Sequence, residues 1–552
     1  MRSNVGIVKK LPFFLSSWRT IYILFSVVLR FAVCMHTSYI HPDEFYQSFQ
    51  AIYNDNVPWE FSDTQNPCRS SVPLLVLYYP VILLGTYFHL SSFSILLLVK
   101  FEFCLFTWIV GEWCLYRIMP IKQERIKALF FFNTSYVTLV YQSHTFSNSI
   151  ETCVVLLVVY LIDDIRQYIE VELHEVSSKA FEHGSEPIRK EYSAFRLILL
   201  GLLVSFGIFN RITFLCWLIL PSIYLFKFFL RYKMRSLIPI ASFLIFSLLF
   251  ILIDTRYFHG HIDFPDNLIV APLNSLLYNS KVDNLSKHGI HPLYTHVLIN
   301  YPQIVGPLLL LLFPFRRSEY LGTTPFLAYV SGLFSLSIIP HQELRFLIPI
   351  IPLACCCVNF NGSPKFVRTV IKLWLFFNVL MIIFMGFLHQ AGLVGATTYL
   401  SEILNSEKSV KPFSLIYWRT YKPPTWLLKS YSGANNNTES SMIFFNRDEN
   451  DLLNADYSSI EGDYVVDFMG LETDSFIEIV SRIVNTNPNG RRLYLVVPDN
   501  AMLNLEENDE VQFNFIELWS TNWHIDLDHF EPDKFGIRTF TPGITVYKVM
   551  QY

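Results

Sequence analysis

Two adjacent carboxylates stand behind a histidine and a proline at His41-Pro42-Asp43-Glu44. They emerge just after the first apolar stretch of the chain. A carboxylate is costly beside lipid, so its presence there suggests a purpose. One of the pair could act as a general base toward a hydroxyl group. The competing reading is structural: Asp43 could cap a helix over 44–53, with Glu44 in its first turn. The same segment runs on through Trp59-Glu60-Phe61 to Pro67-Cys68-Arg69-Ser70. Arg69 could reach a lipid phosphate, or serve only as an interfacial anchor.

A second set is His341-Gln342-Glu343-Leu344-Arg345-Phe346. Arg345 offers a fixed fork of donors and His341 a switchable one, which suits a phosphate diester. Glu343 and Arg345 would equally make a snorkelling ion pair at a helix end. Thr145-Phe146-Ser147-Asn148-Ser149 leads into an apolar helix that carries Glu151. A lone acid in such a helix is either functional or a buried group held by Ser or Asn. Arg211 lies inside another apolar run and needs a partner or water. His288 and His291 lack a third ligand of suitable type nearby, so turn and acceptor-binding roles are preferred to a metal site. There is no Walker loop and no Gly-x-Gly-x-x-Gly run, so a sugar nucleotide is not the obvious donor. Of the sequons at Asn133, Asn284, Asn361 and Asn436, only Asn284 and Asn436 fall where lumenal loops are expected.

The elements that must position these groups are membrane helices. Of 552 residues, 52% are hydrophobic and only 16% charged, against about a quarter in a soluble domain. Mean hydropathy is +0.35. Fifty Phe and thirty Tyr exceed what one soluble core would bury. A net charge of -4 provides no field to attract nucleic acid, and no nucleic-acid partner is expected. The nine cysteines show no zinc-ligand spacing and read as packing residues. Apolar stretches recur at roughly 20–36, 72–90, 92–117, 126–142, 148–164, 195–229, 236–253, 296–315, 321–340, 344–359 and 369–392, which predicts about eleven spans. Arg2, Lys9, Lys10 and Arg19 place the N-terminus in the cytosol, and the acidic loop 37–71 opposite. Lys227 to Arg235, Arg316-Arg317 and Lys365 with Arg368 mark further cytosolic turns. Lys122, Arg125 and Lys127 conflict with strict alternation, which also makes 195–229 one long span interrupted at Asn210-Arg211; a re-entrant piece between 92 and 164 would resolve the conflict. Segment 165–194 reads as a solvated connector. Residues 393–552 are polar, with turns at Pro423-Pro424 and 433–437. Strand-like runs occupy 464–466, 493–497 and 544–547, and an apolar helical face lies at 476–483. This predicts a small α/β domain after the last span.

Taken together, the His41–Glu44 motif, Ser147-Asn148-Ser149 with Glu151, and His341 through Leu347 with Pro349 resemble one family. It is the dolichyl-phosphate-mannose-dependent mannosyltransferases of the endoplasmic reticulum, in the GT-C superfamily (glycosyltransferase family 22). Further motifs resemble the branch that adds a fourth, α1,2-linked mannose to the GPI anchor. They are His389-Gln390-Ala391-Gly392, Trp418 through Trp426, and His524 with Asp526-Leu527-Asp528. Cys68 and Ile212 depart from the pattern, Ile212 standing where relatives often carry proline.

The resemblance implies a polytopic α-helical GT-C domain over 1–392, including lumenal loop 37–71, and a lumenal α/β domain over 393–552. It implies Asp43 and Glu44 as catalytic acids, and Arg345, His341 and Arg69 at the donor phosphate. His41, Glu343, His291 and Glu151 would support the acceptor or the structure. No metal and no cofactor are implied beyond the donor substrate, dolichyl-phosphate-mannose. The partners are that donor, a GPI precursor glycolipid and the lipid bilayer. Alternatives are another transferase using the same donor, for the third GPI mannose or a lipid-linked N-glycan. Outside the class stand a polytopic lipid or sugar transporter and a non-catalytic subunit of an assembly complex.

Overall fold

The structure is a computed structural model. It describes residues 20–53, 57–179, 191–312, 320–406, 412–428, 443–445, 449–460, 462–486, 490–509, 511 and 513–551. The basic residues Arg2, Lys9, Lys10 and Arg19, the pair Arg316-Arg317, the 433–437 turn, the sequon at Asn436 and part of the 165–194 connector lie outside the described residues. The chain forms two compact units. One comprises Met1–Cys34, Trp59–Pro80 and Lys100–Leu380; the other comprises Met35–Pro58, Val81–Val99 and Met381–Tyr552.

The chain is predominantly helical. Among the described residues, four helices are long and apolar enough to cross a membrane: Ser92–Ile118, Lys233–His259, Thr295–Leu312 and Pro364–Leu388. Shorter apolar helices lie at Thr20–Cys34, Leu74–Tyr87, Ala194–Asn210, Thr324–Ile338 and Leu344–Cys355. Two expected spans behave differently. The stretches read as 126–142 and 148–164 contain the pair Tyr136–Ser143 and Ser147–Leu173, bent by 118° at a break. Apolar surroundings demand that broken backbone be satisfied internally. Here hydroxyls do this: Tyr78 donates to the Thr145 carbonyl at 2.8 Å, Thr107 to that of Gln142 at 3.0 Å, and Ser149 to that of Tyr141 at 2.7 Å. The stretch 195–229, read as one long span interrupted at Asn210-Arg211, does end its helix at Asn210, continues as a 3₁₀ turn Ile212–Trp217, and resumes at Ser222–Arg231. Arg211 is extended there (φ -157°), so the break forms without proline.

In the first unit, small residues permit close helix contact. A Cβ on Gly201 would lie 2.5 Å from the Pro239 carbonyl oxygen. Ser242 donates to the Ile198 carbonyl at 2.7 Å, and Ser205 and Ser247 are 2.9 Å apart. The awkward basic stretch 122–127 also finds its place. Lys127 pairs with Glu124 at 2.7 Å and donates to the Val358 carbonyl at 3.2 Å, while Tyr320 bonds to both Glu124 and that carbonyl. Lys127 therefore neighbours the segment leading to Lys365 and Arg368.

The second unit carries a six-stranded sheet, ordered β2-β3-β1-β4-β6-β5. The strands are β1 Phe413–Tyr417, β2 Ile443–Phe445, β3 Tyr464–Asp467, β4 Arg492–Pro498, β5 Phe513–Thr521 and β6 Ile544–Gln551. The first four run parallel, and β6 and β5 close one edge antiparallel. β1 and β3 are buried at every position, as parallel strands covered on both faces must be. Helix Thr473–Asn485 supplies one cover through Phe476, Ile477, Val480 and Ile483.

Candidate active site

In the second unit, Pro42 precedes the short helix Asp43–Phe45, which continues as a wider turn over Tyr46–Gln50. Asp43 is the first helical residue and makes no cap. Its carboxylate instead accepts from Gln47 Nε2 at 2.5 Å, and its own N–H donates to His41 Nδ1 at 3.2 Å. The Asp43 side chain is 26% exposed, whereas Glu44 is fully buried. Neighbouring acids thus differ: one reaches solvent, the other is enclosed.

This acid segment is seated on the loop that leaves β1, at the carboxyl edge of the parallel strands. In open α/β sheets, that edge is where ligands ordinarily bind. Here Tyr39 donates to the Lys422 carbonyl at 3.0 Å, Tyr46 to that of Pro423 at 2.9 Å, and Gln50 to Thr425 Oγ1 at 2.6 Å. Phe49 stacks on Trp426 at 4.3 Å and 5°, and Tyr53 on the same indole at 5.5 Å and 8°. A second clamp comes from His389. Its carbonyl accepts from the Tyr39 N–H at 3.2 Å, and its Nδ1 lies 3.0 Å from the Tyr39 carbonyl. Burial holds His389 below the ordinary histidine range. Gln390 reaches Asp526 at 2.9 Å, and the Gly392 N–H donates to His524 Nδ1 at 3.3 Å. His524 is fully enclosed, and burial pushes it down to about 3, leaving a neutral ring able to accept. A Cβ on Gly392 would meet Ile544 Cγ2 at 2.2 Å, so only glycine permits this approach.

The first unit gathers cations. His341 turns Nδ1 to the Gly289 carbonyl at 2.9 Å and Nε2 to Glu343 at 2.7 Å. Two acceptors on one ring favour the imidazolium. Burial opposes the charge, but the Glu343 and Gly289 oxygens prevail and raise the His341 pKa. Arg345 is ion-paired with Glu343. The guanidiniums of Arg345 and Arg211 lie 5.4 and 4.9 Å from the Phe346 ring centroid. Arg211 bonds Ser147 Oγ at 3.0 Å, and Arg69 approaches the same hydroxyl at 3.5 Å. Glu151 is 3.5 Å from Arg211 and accepts from Thr213 at 3.2 Å. Arg69, Arg211 and Arg345 gather with His341 beside Glu151 and Glu343. Such fixed donors match a phosphate oxyanion. His291 packs beside His341 at 5.9 Å between ring centroids and accepts from the Gln342 N–H at 3.3 Å. Among the described residues, no group of three or more His, Cys, Asp or Glu is arranged to hold a metal.

The model of the Alg9-like mannosyltransferase family matches residues 20–429. The chain belongs to the Alg9-like mannosyltransferase family. Proteins named GPI mannosyltransferase 4 are similar over nearly their whole length. That of Candida albicans is 39% identical, covering 97% of this chain and 99% of its own. That of Debaryomyces hansenii is 37% identical with the same coverage, and that of Saccharomyces cerevisiae 34%, covering 96% and 98%. A solved structure, ArnT from Cupriavidus metallidurans bound to undecaprenyl phosphate, aligns over 97% of this chain and 98% of its own, at 10% identity and a TM-score of 0.49. This Alg9-like mannosyltransferase is a glycosyltransferase, so the transporter and scaffold readings fall away.

In this mannosyltransferase, His41, Asp43 and Glu44 share the second unit with the 389–392, 418–426 and 524–528 motifs. Arg69, Glu151, His291, His341, Glu343 and Arg345 share the first. Glu151 is a buried counter-ion, held by Arg211 and Thr213 as well as by Asn148 at 3.3 Å. Arg211 is the residue that sequence reasoning left without a place. The available signal was its own apolar setting together with the hydroxyl of Ser147, which lies 64 positions away. Asn133 is buried and bonded to Arg30 and Glu112, so that sequon is spent on packing.

Proposed function

We propose that this mannosyltransferase moves mannose from dolichyl-phosphate-mannose to the third mannose of a GPI precursor. An α1,2 bond forms with inversion, which adds the fourth mannose. The observation that carries the substrate assignment is near full-length likeness to proteins named GPI mannosyltransferase 4. Asp43 removes the proton from the acceptor 2-hydroxyl as that oxygen attacks C1 of the donor. Inversion needs one such base, and the more exposed carboxylate suits it. Glu44, enclosed beside it, orients the acceptor or shares the role. The C1–O bond to phosphate breaks with its electron pair, and dolichyl phosphate leaves. Arg345, His341 and Arg69 hold that phosphate, and Arg211 joins them. His41, Glu343, His291 and Glu151 support these groups. The scheme routes no step through a metal or a cofactor.

The architecture proposed with this function is of the GT-C type, in the membrane of the endoplasmic reticulum. The shorter apolar helices complete about eleven crossings, the N-terminus is cytosolic, and the acid segment and sheet domain are lumenal. Membranes carrying the full chain, given radiolabelled dolichyl-phosphate-mannose, should extend a precursor bearing three mannoses and not one bearing two. Extension of the two-mannose lipid alone would assign the third step instead, and labelling of a lipid-linked N-glycan would move the enzyme to that route. Arg345→Ala should lower kcat/KM for the donor about 10–100-fold, the range expected for losing hydrogen bonds to a charged group. An unchanged donor dependence would reduce Arg345 to an anchor.

A further inference from the structure

Trp59 opens the short helix Trp59–Ser62 and is 41% exposed. One face of the indole is backed by two rings. Tyr278 stacks on it with centroids 4.5 Å apart at 29°, and His288 at 4.8 Å and 23°. Those two rings are 6.0 Å from each other, and the Tyr278 hydroxyl is 3.1 Å from His288 Nε2. Rings packed on opposite faces would stand at least about 7 Å apart, twice the ~3.5 Å contact distance. Tyr278 and His288 therefore share one face, and the exposure belongs to the other.

Two further observations say what meets that outer face. Beyond the buried Glu60 and Phe61, the polar residues Ser62, Asp63, Thr64, Gln65 and Asn66 are all exposed, which puts a polar surface beside the indole. His288 also lies 6.3 Å from the His341 ring, which makes the platform continuous with the cation cluster.

We propose that the outer face of Trp59 is a subsite for one pyranose ring of the acceptor's mannose chain. This rests on the reading that the enzyme extends a GPI glycan. The C–H face of a hexose carries slight positive charge and the indole face slight negative charge, so the two attract beyond the area they bury. A ring already fixed by two others loses little freedom when a sugar docks.

In membranes carrying the full chain, Trp59→Ala should raise the apparent KM for a three-mannose GPI precursor about threefold to tenfold. The KM for dolichyl-phosphate-mannose should stay within about twofold by the same energetics. Trp59→Tyr, which keeps an aromatic face, should restore most of the acceptor affinity. An unchanged acceptor KM in Trp59→Ala overturns the subsite. So does an equal rise in both KM values, or poorer membrane retention with acceptor KM intact, which would make Trp59 a lipid anchor. Transfer by the wild-type chain alongside any of these leaves the functional reading standing. Absence of transfer by the wild type removes both.

Discussion

Asp43→Asn is expected to reduce mannosyl transfer by about 10²–10⁴-fold, the span ordinarily supplied by a positioned general base. The amide keeps the shape of the carboxylate, and its oxygen still accepts from Gln47, so the helix start at Pro42 should survive. What disappears is the group able to take a proton. The loss should therefore fall on kcat, with apparent KM values for donor and acceptor little changed. Transfer assays on membranes containing equal amounts of each protein, beside thermal unfolding in detergent, separate this from misfolding. Turnover within a few-fold of wild type would remove Asp43 from the base role and direct attention to Glu44.

Trp426→Ala should cost both stability and activity. The indole is fully buried, stacked on Phe49 and Tyr53, and 6.4 Å from Phe45. Truncating a buried Trp typically costs about 3–5 kcal/mol, because the cavity closes only in part. Here the rings that lose their partner belong to the segment carrying Asp43 and Glu44. A lower unfolding temperature should thus accompany loss of transfer that exceeds any loss of protein. Trp426→Phe, which keeps a stacking face, should recover part of both. Wild-type stability and rate in Trp426→Ala would show that the acid segment holds its place without this seat.

The acid pair drew notice because a Pro-Asp-Glu run beside an apolar stretch is chemically conspicuous. The sheet was readable at 464–466, 493–497 and 544–547, where β-branched and aromatic residues cluster between turns. Strand β1 escaped notice because Phe413–Tyr417 is short and adjoins residues that look like loop. β5 was missed because Phe513–Thr521 alternates irregularly around a bulge. The charge pattern pointed to an interruption at Asn210-Arg211 and to a re-entrant piece between 92 and 164, but not to what holds those breaks. What ends those helices is hydrogen bonding from distant hydroxyls and from Ser147, and no local composition records that. Arg211 shows the same limit. A window sees one charge in an apolar run, whereas its partners Ser147 and Glu151 arrive from another helix. The docking of Tyr39 and Tyr46 onto 422–423 was equally invisible: the 418–426 motif had been noticed, the two tyrosines had not.

That docking has a consequence for how the enzyme is made. Tyr39 and Lys422 are 383 residues apart. At about 5–20 residues per second, a ribosome takes roughly 20–80 s to travel from one to the other. Until His389 and then the 422–426 loop have been made, the nascent chain carries the Asp43–Glu44 segment without its seat. A polypeptide released before Trp426 would hold Asp43 and Glu44 and still lack the platform that seats them, so this part of the molecule is completed only when synthesis is nearly over.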